Sequence, residues 1–137
     1  MILGVGNDIL EVGRIQRELD QPGPSFRDRL FSPDEIAYCE AKRYPAQHYA
    51  ARFAAKEAFL KALNTGLRDG LSWTDMEVRN GAAGAPELIL SGEALVLARQ
   101  RGIEKTFLSL SHTSSLAMAS VVLEGQATSP SAAPRSN

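Results

Sequence analysis

The run R52-F-A-A-K-E-A-F-L-K-A-L63 decides the fold, because it is either a helix built for burial or a solvated one. At 100° per residue, Ala54, Ala55, Ala58, Phe59, Ala62 and Leu63 share one broad arc. Phe53, Glu57 and Lys61 stack at i, i+4 and i+8 on another. The small arc permits close packing against a second element, and the other sets Glu57 and Lys61 side by side. On its own that pair reads as an ordinary i,i+4 salt bridge on a wet face, contributing about 0.2–0.5 kcal/mol. The alternative is a site for phosphates, since Arg52, Lys56 and Lys61 give this helix a positive bias in a chain of formal net charge −1.

Outward from this run, Pro45 closes the segment before it, and the pattern predicts a helix from about Gln47 to about Asn64, stopped by NTGLRDG. Upstream, FSPDEIAYCEAKR opens with Ser32 as N-cap, Pro33 at the first helical position and Glu35 completing a capping box. The N-terminal MILGVGND reads as a strand whose end presents Asp8. LEVGRIQREL follows with Leu10, Ile15 and Leu19 at helical spacing, broken by QPGPS and then by a short amphipathic turn, FRDRLF. Downstream, MEVRN and PELIL read as strands joined by GAAGA, and GEALVLARQRG as a helix ended by Gly102. TFLSLSHT and LAMASVVLE predict a terminal antiparallel hairpin turning at residues 113–115.

The α and β elements do not alternate strictly, and no repeat is present. The expected fold class is therefore α+β, a mainly antiparallel sheet packed against the long helix, in one domain over residues 1–124. GQATSPSAAPRSN holds almost no large apolar residue, so residues 125–137 are expected to form a disordered tail.

With 137 residues, 44% hydrophobic and 23% charged, the chain suits a single core. Its charge balance argues against nucleic acid or an anionic membrane as a partner. One cysteine, Cys39, excludes an intramolecular disulfide framework and a multi-cysteine zinc site. The start lacks the basic region of a signal peptide and no apolar run reaches membrane-spanning length, so a cytoplasmic location is expected.

Asp8 after a strand is either a turn or cap residue or a ligand for a hard cation. Two converging carboxylates, Asp8 and Glu57, would suit Mg²⁺, which takes few protein oxygens and keeps water and substrate phosphates. His112 sits among small polar residues, whereas His48 lacks such a setting and reads as structural or surface-exposed. Ser111 precedes His112, but neighbours on a strand point to opposite faces, and no Gly-x-Ser-x-Gly elbow is present. Neither a P-loop nor a Gly-x-Gly-x-x-Gly fingerprint occurs.

GVGNDILEVGRI, FSPDE, RFAAKEAFLKAL, NTGL and SLSHT follow one another in an order and spacing that resembles the holo-acyl-carrier-protein synthases, the small single-domain 4′-phosphopantetheinyl transferases. The likeness runs from residue 1 to about 124. It implies transfer of the 4′-phosphopantetheine arm of coenzyme A to a serine of an apo acyl carrier protein, releasing adenosine 3′,5′-bisphosphate. It further implies that Asp8 and Glu57 hold Mg²⁺ against the pyrophosphate and that Lys61 stabilises the departing phosphate. Either Glu57 or a metal-bound water would take the serine proton.

By the same likeness Arg52, Phe53, Lys61, Thr65, Gly66, His112 and Thr113 line the coenzyme A site, with a homotrimer enclosing it between subunits. Gly66 would let backbone amides close around a phosphate. Asn64 stands where the family commonly has glycine, and asparagine also tolerates positive φ. Arg14 and Arg17 would meet an acidic carrier helix, helped by Arg27 or Arg29. Two other readings share these residues: a module that docks a carrier without modifying it, and a Mg²⁺-dependent phosphohydrolase.

Overall fold

The computed structural model describes residues 1–67 and 70–127. Arg68 and Asp69 of the NTGLRDG stop, and residues 128–137 of the expected tail, lie outside the described residues. In chain order the elements are β1 (Ile2–Glu11), α1 (Val12–Leu19), α2 (Ser25–Leu30), α3 (Pro33–Glu40), α4 (Pro45–Ala62), β2 (Met76–Asn80), β3 (Pro86–Leu90), α5 (Gly92–Gln100), β4 (Ile103–His112) and β5 (Leu116–Gly125).

The fold is α+β, with all strand pairs antiparallel and divided between two sheets. A three-stranded sheet has the order β1-β5-β4, and β2-β3 forms a separate hairpin. The terminal hairpin turns at residues 113–115 as the alternation predicts. β5 continues one residue past the expected boundary at 124, and Gln126 still donates its backbone N–H to the Gly102 carbonyl at 3.0 Å.

Helix α4 runs across the three-stranded sheet. Pro45 does not end the preceding segment but starts α4, where its missing N–H costs nothing and its fixed φ favours a helix. At the other end, Asn64 N–H donates to Lys61 O at 2.9 Å and Thr65 N–H to Leu60 O at 3.0 Å, a Schellman motif. That motif requires a left-handed residue, and Asn64 supplies it with φ 56°. The helix thus survives the replacement of glycine by asparagine.

The alanine arc of α4 is buried as its spacing requires. Against it lie Gly4 and Gly6 of β1, where a Cβ would collide with the carbonyls of Ala62 and Ala58. Small residues on both partners bring helix and strand backbones into contact, and this approach carries Asp8 to the helix. Leu10, expected in the first helix, belongs instead to β1, and α1 begins at Val12.

Lys56 departs from the expectation that it adds positive charge to a ligand site. It is fully buried and donates to Leu30 O at 2.6 Å, Glu35 Oε1 at 2.8 Å and Trp73 O at 3.1 Å. Glu35 in turn accepts from Ser32 N–H at 2.9 Å and Val78 N–H at 2.9 Å. The predicted capping box at Ser32 is present, and its glutamate also anchors α4 and β2. Cys39 is buried beside it, and burial pushes its thiol up to about 12, which makes it inert.

Candidate active site

The glycine-for-alanine contact between β1 and α4 sets Asp8 beside Glu57 and Lys61. Asp8 is 11% exposed, and its Oδ1 accepts from Lys61 Nζ at 2.8 Å. Its Oδ2 is buried with no hydrogen-bond partner. Glu57, half-buried, has its carboxyl raised above the ordinary range, first by burial and then by the charge of Asp8, against the opposing pull of Lys61 and Arg14. Lys61 is held above its ordinary value by the hydrogen bond to Asp8. Lys61 thus bonds Asp8 and acts on Glu57 only through space, while Asp8 keeps one oxygen without a partner.

Such a donor set suits a hard divalent cation. Among the described residues no group of three or more His, Cys, Asp or Glu side chains could hold a metal. Two carboxylates fit an ion that completes its shell with water and substrate oxygens, which is the habit of Mg²⁺. Arg14, proposed from sequence only as a carrier contact, acts on Glu57 through space and so belongs beside this pair. Arg14 and Arg17 are both exposed on α1. Arg27 is engaged by Glu40 at 3.3 Å, which leaves Arg29 as the freer of that pair.

The remaining candidates lie elsewhere. From His48 to Glu57 is nine residues, two and a half helical turns, so the two side chains leave α4 on sides about 180° apart. Asp8 is on β1 and His112 on β4, the two edges of the three-stranded sheet. One flank of α4 thus carries Asp8, Glu57 and Lys61, and the other carries His48 and His112, whose rings stand edge to face at 5.0 Å. Arg52 belongs with the second group: it is buried, stacks over Tyr38 at 3.9 Å and donates to Asn80 Oδ1 at 3.1 Å. His48, which the sequence reading set aside, lies directly against the candidate His112.

Three further candidates have structural duties within the chain. Phe53 packs edge to face on Trp73 at 5.2 Å and on Phe26 at 6.4 Å. Thr113 Oγ1 accepts from Leu116 N–H at 3.0 Å and Ser115 N–H at 3.2 Å, closing the β4–β5 turn. Thr65 closes the α4 C-terminus through its backbone N–H. At Gly66 a Cβ would meet nothing within 4 Å and φ is not positive, so no intrachain crowding requires glycine there. The left-handed residue of that turn is Asn64.

A family model, the 4′-phosphopantetheinyl transferase superfamily, matches residues 4–119. A holo-[acyl-carrier-protein] synthase of Geobacter sp. strain M21 is 56% identical over 124 residues, which cover 90% of this chain and 99% of that protein. The crystal structure of the holo-[acyl-carrier-protein] synthase from Neisseria meningitidis matches with a TM-score of 0.82 at 35% identity, over 90% of this chain and 99% of that one. The synthase from Bacillus anthracis str. Ames, solved in complex with CoA (3′,5′-ADP), matches with a TM-score of 0.75 at 38% identity, over 92% and 99%. The chain, with its paired carboxylates against an alanine-lined helix, belongs to the 4′-phosphopantetheinyl transferase superfamily, among its holo-[acyl-carrier-protein] synthases.

Proposed function

We propose that this protein transfers the 4′-phosphopantetheine group of coenzyme A to a serine of an apo acyl carrier protein, giving holo carrier and adenosine 3′,5′-bisphosphate, with Mg²⁺ as cofactor. The observation that carries the reading is the Asp8–Lys61–Glu57 group, in which a buried carboxylate oxygen has no partner. Transfer of a phosphoryl-linked group needs in-line positioning and charge neutralisation more than covalent help from the protein. Mg²⁺ held by Asp8 and Glu57 would supply Lewis-acid neutralisation at the pyrophosphate. Lys61, exposed and tethered only to Asp8, can turn to the phosphate oxygen that gains charge as the bond breaks. Glu57, with a carboxyl raised by burial and by Asp8, is suited to accept the proton of the attacking serine hydroxyl.

The site also needs a second copy of the chain. Its candidate residues occupy opposite flanks of α4, and two subunits that bring different flanks together would let one coenzyme molecule meet both sets. Support comes from the outer face of the three-stranded sheet, where Val5, Ile9, Phe107, Leu116 and Met118 are exposed on the side away from α4. An apolar sheet face of this kind marks an association surface. By likeness to the family we read the enzyme as a homotrimer, with Asp8, Glu57 and Lys61 from one subunit and Arg52, His112 and Thr113 from its neighbour. Arg14, whose charge reaches Glu57, and Arg17, three residues on along α1, would dock the acidic carrier. No helix among the described residues is long and apolar enough to cross a membrane. The reading puts the enzyme in the cytoplasm, supplying fatty acid or polyketide biosynthesis.

Incubation of the purified protein with coenzyme A, Mg²⁺ and a panel of apo carriers, followed by intact-mass measurement, tests this. A gain of one phosphopantetheine on a carrier, abolished by chelation, is the expected result. No gain with any carrier would overturn it.

A further inference from the structure

We infer that His48 joins His112 in a proton-coupled phosphate subsite, so that coenzyme A binds more tightly as the pH falls. The inference rests on the transferase reading above and adds to it a residue and a regulatory property. The two imidazoles stand edge to face with centroids 5.0 Å apart, one on α4 and the other at the end of β4. Tyr38 of α3 also stands edge to face with His48, at 6.0 Å. Over that same Tyr38 ring lie Lys42 Nζ at 4.5 Å and the Arg52 guanidinium at 3.9 Å.

The groups that act on His48 are therefore His112 from β4, Lys42 from just past the end of α3 and Arg52 from its own helix, all cationic or able to become so, with no carboxylate among them. In a chain of net charge −1 this is a local concentration of positive potential. An imidazolium at His48, in contact with a second ring and beside two permanent cations, is unfavourable unless an anion arrives. Consistently, His48 is held below its ordinary value, first by burial and then by His112, Lys42 and Arg52. A phosphate placed against the pair reverses that balance, because it supplies the missing negative charge and accepts hydrogen bonds from imidazolium. His48 then takes up a proton on binding. By linkage, affinity rises as pH falls through the interval between the free and bound values.

Calorimetric titration of the wild-type protein with coenzyme A, in two buffers of different ionisation enthalpy and at about pH 6 and about pH 8, reads the uptake directly. Proton uptake is expected, with binding roughly three- to tenfold tighter at the lower pH. H48F keeps an aromatic edge against His112 and Tyr38, and H48Q keeps a hydrogen-bonding group without titration. Both should bind with a smaller proton uptake and a flatter pH dependence than wild type, whatever their absolute affinity. The titration of the free coenzyme's own phosphate is common to all three proteins. Wild-type uptake retained in both variants, or pH-independent binding in wild type, overturns the subsite while leaving the transferase reading intact. No coenzyme A binding at either pH overturns both.

Discussion

Asp8 and Glu57 show how their surroundings make two ordinary carboxylates a candidate site. Glu57 is held protonated to a higher pH than a free glutamate, by burial and by Asp8. A raised carboxyl favours the folded state below its ordinary value, and that contribution is lost as pH rises through the shifted one. Glu57→Gln removes the penalty. At neutral pH it is expected to raise the melting temperature while lowering phosphopantetheine transfer by about 10²–10⁴-fold, as loss of a proton acceptor does. Thermal scans and the intact-mass assay run side by side check this, and a variant both less stable and fully active would contradict the assigned role. The same electrostatics predicts that Mg²⁺ raises the melting temperature of the wild-type protein. Asp8→Asn should lose that shift, since its amide cannot contribute the orphan oxygen's charge.

Helix α4 ties the site to the fold at the level of the element. Its C-terminal half touches β1 through alanine against glycine, and its middle is pinned by the buried Lys56–Glu35 pair. Burial lowers the Lys56 ammonium below its ordinary value although Glu35 opposes the shift, so the pair is held together at a desolvation cost. Removing one partner is worse than having neither. Lys56→Met leaves the buried Glu35 with its backbone donors but without its ionic partner and should destabilise the protein by about 3–5 kcal/mol, measured by urea denaturation. Gly6→Ala acts differently: its Cβ collides with the Ala58 carbonyl, so β1 and α4 must separate. A cost of about 1–3 kcal/mol is expected. Activity should fall further than stability alone explains, because Asp8 lies two residues along the displaced strand; transfer rates measured well below the melting temperature separate the two effects.

For the whole molecule the decisive feature is the distribution of the site over two flanks of one helix. If neighbouring subunits complete each other, Asp8→Ala and His112→Ala are each inactive as pure proteins, yet mixing them under conditions of subunit exchange restores activity at the sites that combine two intact halves. Absence of recovery, with exchange verified by mass, would put both halves in one chain. The apolar sheet face makes a parallel prediction. Met118→Glu together with Phe107→Glu should yield monomers by light scattering that retain their circular dichroism and lose transfer, since both side chains point away from the core.

The sequence by itself determined whatever is encoded within about one helical turn or along one strand. The Ser32–Glu35 box, the small arc of α4, the left-handed tolerance of Asn64 and the turn between β4 and β5 are all local, and each is present in the structure. Pro45 is ambiguous at the same scale, because proline both ends and begins helices and only the packing of the following residues chooses. Tertiary structure alone decided the rest. Lys56 finds its partners 17 to 26 residues away, at Trp73, Glu35 and Leu30, so a lysine that reads as a ligand group proved to be a buried strut. His48 acquired significance only when β4 delivered His112 to it across 64 positions of chain. A periodicity states which side of a helix a residue leaves by, but which element waits there is fixed by the burial of apolar surface in the whole domain, and that is a collective property no short stretch contains.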